Sequence, residues 1–232
     1  MKDTEFLKSS LIVNRGIYNN QITFENTLES FNNAITNNYA ILFSVNITED
    51  DVLIVYHDDN LTRLMNLKDK INSIKYSELN YLCPYHVPTI EEALNTIAGK
   101  VPIIINMRVT GKKHFPEKEL AKLLDKYNGK FAVLSRNAKI IRWFNKNRPN
   151  YIIGEILTRS YNFSLSNCLI ETDFKSINVE YYNLYKIKKI KESSLVIGYL
   201  IDNQEKYLVY KEVFDNLVID KVYELQMIEE VL

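Results

Sequence analysis

At 232 residues the chain is long enough for one large domain with a full buried core. Its 29 lysines and arginines balance its 29 aspartates and glutamates, so no global field directs it to nucleic acid or an anionic membrane, and only local basic sites remain. Met1-Lys2-Asp3-Thr4-Glu5 opens no signal-peptide run, and no stretch reaches the roughly 18 apolar residues of a membrane span, so a soluble, cytoplasmic protein is expected.

In chain order, short β-branched apolar runs alternate with amphipathic stretches. The predicted strands are 11–14, 40–47, 103–109, 131–135, 151–156, 176–179, 195–200 and 217–220. Predicted helices cover 27–37, 89–97, 117–126, 138–147, 181–192 and 203–213, and Thr89 with Glu92 reads as a capping box. This is the pattern of βα units around a parallel sheet, and eight such strands predict a closed (β/α)₈ barrel over residues 1–232. The passage from about 48 to 88 is longer than an ordinary βα loop and reads as an insertion: a returning strand at 52–56, then a helix near 75–81. Cys83 and Cys168 are far apart and lack ligand-spaced neighbours, so reduced, structural thiols are expected. His86 and His114 fit no catalytic motif and read as surface residues, while Trp143 sits on a helical pattern with Ile140, Ile141 and Phe144 and reads as packing.

Four segments carry the chemistry: Asn14-Arg15-Gly16; Phe24-Glu25-Asn26-Thr27; Leu42-Phe43-Ser44 leading to Thr48-Glu49-Asp50-Asp51-Val52; and Tyr56-His57-Asp58-Asp59. Their order and spacing resemble the glycerophosphodiester phosphodiesterase family, with its His-Arg-Gly, Pro-Glu-Asn-Thr, Glu-x-Asp and Phe-His-Asp motifs. Further on, Ile105-Asn106-Met107-Arg108-Val109-Thr110 resembles a family segment of the type Leu-Asn-Ile-Glu-Leu-Lys. Tyr199 stands where the family strand Trp-Thr-Val-Asn has its pocket tryptophan, and 214–220 resembles the closing strand. The resemblance implies a barrel of the phospholipase C-like phosphodiesterase type, glycerophosphodiester ligands, a role in lipid metabolism, and a Ca²⁺ or Mg²⁺ cofactor.

The chain departs from that pattern at the reacting centre. The resemblance places a catalytic histidine at Asn14 and the three carboxylate ligands at Leu42, Ser44 and Arg108. A hard cation needs several charged oxygen ligands, and these residues offer at most one hydroxyl, so no metal is expected. Arg108 instead brings positive charge to the strand end, and with Arg15 it is positioned to hold a phosphate. The alternative is that Arg108 pairs with Glu25 and plugs the vacant centre. His57 and Asp58 match the family's surviving catalytic pair, with His57 in the family role of acid. The readings left open are a metal-free pseudoenzyme binding a small anionic phosphodiester or phosphate through Arg15, Glu25, Arg108, Tyr199 and Asn14; a metal-independent phosphodiesterase centred on His57 with Arg15; and hydrolysis with a metal displaced onto Glu25, Asp58 or Asp59. No nucleic-acid partner is implied.

Overall fold

The computed structural model describes residues 2–109, 111–157, 170–181, 183–220 and 222. Cys168 lies outside them. Nine strands form one sheet: β1 (Ile12–Asn14), β2 (Ala40–Ile47), β3 (Leu53–Val55), β4 (Ile103–Met107), β5 (Phe131–Ser135), β6 (Ile152–Leu157), β7 (Phe174–Asn178), β8 (Leu195–Ile201) and β9 (Asn216–Ile219). All but β3 are parallel to their neighbours, and β1 pairs with both β2 and β9, which closes the barrel. β3 returns antiparallel on β2, as the predicted hairpin strand.

Strand parity sorts the side chains. Val13, Ile41, Phe43, Ile105, Val133, Ile153 and Val196 point outward into the main core against the helices. Ile12, Ala40, Leu42, Ile104, Ala132, Leu134, Ile152, Phe174, Ile197 and Val218 fill the barrel interior. Both faces of these strands are therefore buried, which accounts for their near-continuous apolar runs. Gly154 leaves the interior space that the buried Phe174 ring fills, and a Cβ at that glycine would overlap the ring.

The outer helices are α1 (Leu28–Thr36), α4 (Ile90–Ile97), α5 (Phe115–Leu124), α6 (Ala138–Asn147), α7 (Leu184–Lys191) and α8 (Gln204–Tyr210). Within the insertion lie α2 (Thr62–Met65) and α3 (Tyr76–Leu82). α4 begins at the predicted Thr89–Glu92 capping box, and α1 has a second one between Thr27 and Ser30. α7 and α8 start later than the periodicity predicts because Asn183 and Asn203 stop the chain in extended geometry and cap the next turn with their side chains. α5 starts earlier, at Phe115, with Pro116 pre-set for a first turn.

Residues 48–88 carry a core of their own: Ile54, Tyr56, Leu61, Ile71, Ile74, Leu79, Val87 and the free thiol of Cys83, which burial pushes up to a pKa of about 11. Trp143 packs edge-on against Phe144, beside the main core. His86 faces Glu92 at the surface, whereas His114 Nδ1 lies 2.8 Å from Oε1 of Glu117, a buried acid on α5. Among the described residues no helix is long and apolar enough to cross a membrane.

The turn after β1 is a tight connection. Gly16 has φ +81°, and a Cβ there would stand 2.5 Å from Ser30 Oγ and 2.7 Å from the Ser30 carbonyl. The glycine thus meets both a left-handed backbone and a close approach of α1. Gly16→Ala should lower the unfolding free energy by about 1–3 kcal/mol, read from the urea midpoint at unchanged slope.

Candidate functional site

At the C-terminal ends of the barrel strands lies a cavity of about 180 Å³. Its apolar wall is Leu42, Leu134, Ile156 and Val218; its polar wall is Asn14, His57, Asn106, Arg108, Arg136, Ser176 and Tyr199. The inward parity of the strands puts them there. Asn14 follows Ile12, Ser176 follows Phe174 and Tyr199 follows Ile197, each two residues nearer the mouth. Arg108 and Arg136 continue the same rows one step past the ends of β4 and β5.

His57 comes from the hairpin. Tyr56 N donates to Ser44 O at 3.1 Å, and Asn46 Nδ2 donates to Asp58 O at 2.8 Å, so β2 holds the segment on both sides of the imidazole. His57 Nδ1 lies 2.7 Å from Asp58 Oδ1. A carboxylate only accepts, so Nδ1 carries the proton and Nε2 presents its lone pair. Burial lowers the His57 pKa, and the charges of Arg15 and Arg108 lower it further against the opposing pull of Asp58. Burial and the two arginines thus favour the neutral ring, which in that state accepts a proton at Nε2.

Beside the cavity, Glu25 is the hub of an ionic cluster. Its side chain is 1% exposed and receives Arg15 Nη1 at 3.0 and 3.1 Å, and Arg63 Nη1 and Nη2 at 2.8 and 2.6 Å. Asn20 Nδ2 adds a bond at 3.3 Å. Burial alone would raise the Glu25 pKa, but the Arg63 hydrogen bonds and the charges of both arginines outweigh it, and the net shift is downward. Arg63 Nε also reaches Asp58 Oδ2 at 2.7 Å. Burial opposes ionisation of Asp58 too, yet His57 and Arg63 bring its pKa down to about 2. Arg63 thus ties the β1–α1 turn to the carboxylate that orients His57.

Arg108 is not part of that cluster. Its side chain is 17% exposed, its Nε is buried without a hydrogen-bond partner, and the nearest acid is Asp59 Oδ1 at 3.7 Å, on a side chain 69% exposed. Burial lowers its pKa, with Arg136 pushing the same way against Asp59. The expected plug, Arg108 on Glu25, does not form, because Arg15 and Arg63 already occupy both Glu25 oxygens. Arg15, expected to share a ligand with Arg108, is engaged with Glu25 and is not among the cavity's lining residues; Arg136 stands there with Arg108.

The glycerophosphoryl diester phosphodiesterase family model matches residues 15–203. The chain belongs to that family. Solved structures with the same fold include an Oleispira antarctica phosphodiesterase in complex with the product sn-glycerol-3-phosphate (TM-score 0.80, 16% identity, 97% of each chain covered). A Thermotoga maritima glycerophosphodiester phosphodiesterase is also similar (TM-score 0.75, 19% identity, 96% of this chain and 98% of that one). In sequence, the lysophospholipase D of Rattus norvegicus is 38% identical over 66 residues, a match spanning 28% of this chain and 21% of that protein; the Mus musculus protein matches equally.

Against the dication implied by its family resemblance, this glycerophosphodiester phosphodiesterase relative presents the wrong donors. Leu42 offers a methyl-lined wall, Ser44 is wholly buried with its hydroxyl accepting from Asn106 at 3.4 Å, and Arg108 is a cation. Of the acids nearby, Glu25 is held by two arginines and Asp58 by His57 and Arg63, while Asp59 stands exposed 3.7 Å from Arg108. Asn14, in the place of a histidine, donates to Asp220 Oδ1 at 2.5 Å. Burial raises the Asp220 pKa against that bond.

Sequence reasoning missed Arg63 and Arg136. Arg136 was within reach: it lies two residues beyond Leu134 on a predicted strand, and alternation puts both on the same face. No periodicity marks Arg63, and only the length of the insertion hints that it carries function.

Proposed function

We propose that this member of the family binds a glycerophosphoryl group or a related small phosphate at the barrel mouth without a metal, and does not hydrolyse it. The observation that carries this reading is Arg108: a largely buried cation in the place of a carboxylate ligand, on the cavity wall, with an unpartnered Nε and only the exposed Asp59, at 3.7 Å, as an acid neighbour. An anion would supply the missing acceptors, and a charge-assisted bond in a half-buried site is worth more than a neutral one. The product bound by the Oleispira antarctica protein is a ligand of this class.

A second reading is favoured by the His57–Asp58 pair. A neutral imidazole whose Nδ1 is held by a carboxylate has an Nε2 ready to take a proton from a hydroxyl of the substrate as that oxygen bonds phosphorus, and to return it to the ester oxygen whose bond to phosphorus breaks. Arg108 and Arg136 would then steady the phosphoryl oxygens during metal-free transfer.

Turnover of glycerophosphocholine should stay at the rate without protein in Mg²⁺, in Ca²⁺ and in chelator, while sn-glycerol 3-phosphate raises the melting temperature in chelator. Metal-dependent turnover would overturn both readings. Chelator-resistant turnover that disappears in His57→Ala would replace the first with the second.

A further inference from the structure

We infer that the barrel mouth selects phosphate monoesters, as dianions, over phosphodiesters. The inference rests on the reading of the mouth as an anion site and goes on to say which anion. Arg108 and Arg136 line the same cavity, close enough for Arg136 to disfavour the charge on Arg108. Among the described residues Arg136 makes no hydrogen bond or ion pair, and Arg108 has only the solvated Asp59 at 3.7 Å. His57 adds no charge at pH 7. Two guanidinium groups therefore face one small space with little to offset them.

A phosphate monoester answers both. It carries nearly two negative charges above its second pKa of about 6 and offers three terminal oxygens, enough for two separate guanidinium donors. A diester carries one charge and two such oxygens, so it leaves one of the two guanidinium groups without an anionic partner. Room argues the same way. About 180 Å³ accepts a small phosphate ester, but a second ester arm would have to leave through the mouth past the two arginines. The neutral wall groups, Asn106, Ser176 and Tyr199, suit the hydroxyls of a short polyol.

The test is calorimetric titration, in chelator at about pH 8, with sn-glycerol 3-phosphate and with glycerophosphoglycerol, a diester without a cationic arm. The wild type should bind the monoester roughly tenfold or more tightly than the diester, the equivalent of one charge-assisted hydrogen bond. Arg136→Gln should weaken the monoester by roughly tenfold and the diester by less than about threefold, removing most of the preference. Arg136 is exposed and unpartnered among the described residues, so the variant should fold, with an unchanged melting temperature as the check. Arg136→Lys should keep part of the preference. Equal wild-type affinities, or equal losses for both ligands in Arg136→Gln, would overturn the selectivity while leaving the anion site standing. Binding of neither ligand by the wild type would sink the anion site and this inference together.

Discussion

Arg108→Met should lower the affinity for sn-glycerol 3-phosphate by about 10- to 150-fold, while leaving the ligand-free protein as stable as the wild type or more so. The loss follows from removing one charge-assisted hydrogen bond, about 1.5–3 kcal/mol. The stability change has the opposite sign for a physical reason. In the ligand-free fold Arg108 is 17% exposed, its Nε has no partner, and its closest acid is 3.7 Å away, so the fold carries a desolvated cation with little return. Methionine keeps much of the apolar stem and removes the charge, and a gain of about 0.5–2 kcal/mol is the usual scale for relieving such a site. Calorimetric titration and urea denaturation of the same preparation measure both halves. A variant that is destabilised and binds normally would make Arg108 a structural residue and end the proposed function.

Glu25→Gln has the opposite profile, a large loss of stability. Glu25 is the buried acceptor of Arg15 and Arg63, and the substitution leaves two guanidinium groups facing a neutral amide. Breaking a buried pair in this way costs about 3–5 kcal/mol, and the lower end is expected because Arg63 is 42% exposed and can reach water. About 3 kcal/mol corresponds to a fall of roughly 6–12 °C in the melting temperature for a domain of this size. The effect depends on pH with a definite sign. Glu25 titrates below its ordinary carboxylate value in the folded state, so its contribution is fully present above about pH 4.3 and is lost as pH falls through the folded pKa. The difference between wild type and Glu25→Gln should therefore shrink in acid. Combining it with Arg63→Met should cost less than the two single changes added together, since Arg63 works mainly through Glu25 and Asp58. Strict additivity in that cycle would deny the cluster.

Some of the site could be read from residue order because motif spacing survives where motif chemistry does not. The family resemblance placed Asn14, Leu42, Ser44 and Arg108 at the reacting centre, and three of them line the cavity, with Ser44 buried just behind it. His57 and Asp58 were placed as neighbours, and they meet at 2.7 Å. The state of the imidazole was not legible, because it depends on burial and on Arg15 and Arg108, which come from other strand ends. The partner of Glu25 was misjudged for a related reason. Arg108 and Arg63 both offered the right charge, and no local rule ranks a residue 83 positions away against one 38 positions away.

The barrel itself is a property of the sequence. β-branched runs of strand length, amphipathic intervals, and Thr and Asn caps determine each element through contacts within a few residues, and parity then assigns every strand its inner and outer face. What only the tertiary structure decided is the pairing of charges at the mouth: Arg63 on Glu25 and Asp58, and Arg136 beside an Arg108 whose Nε has no partner. Those pairings depend on which strand ends and loops closure of the barrel brings together. Electrostatic contacts across that gap have no period along the chain to announce them.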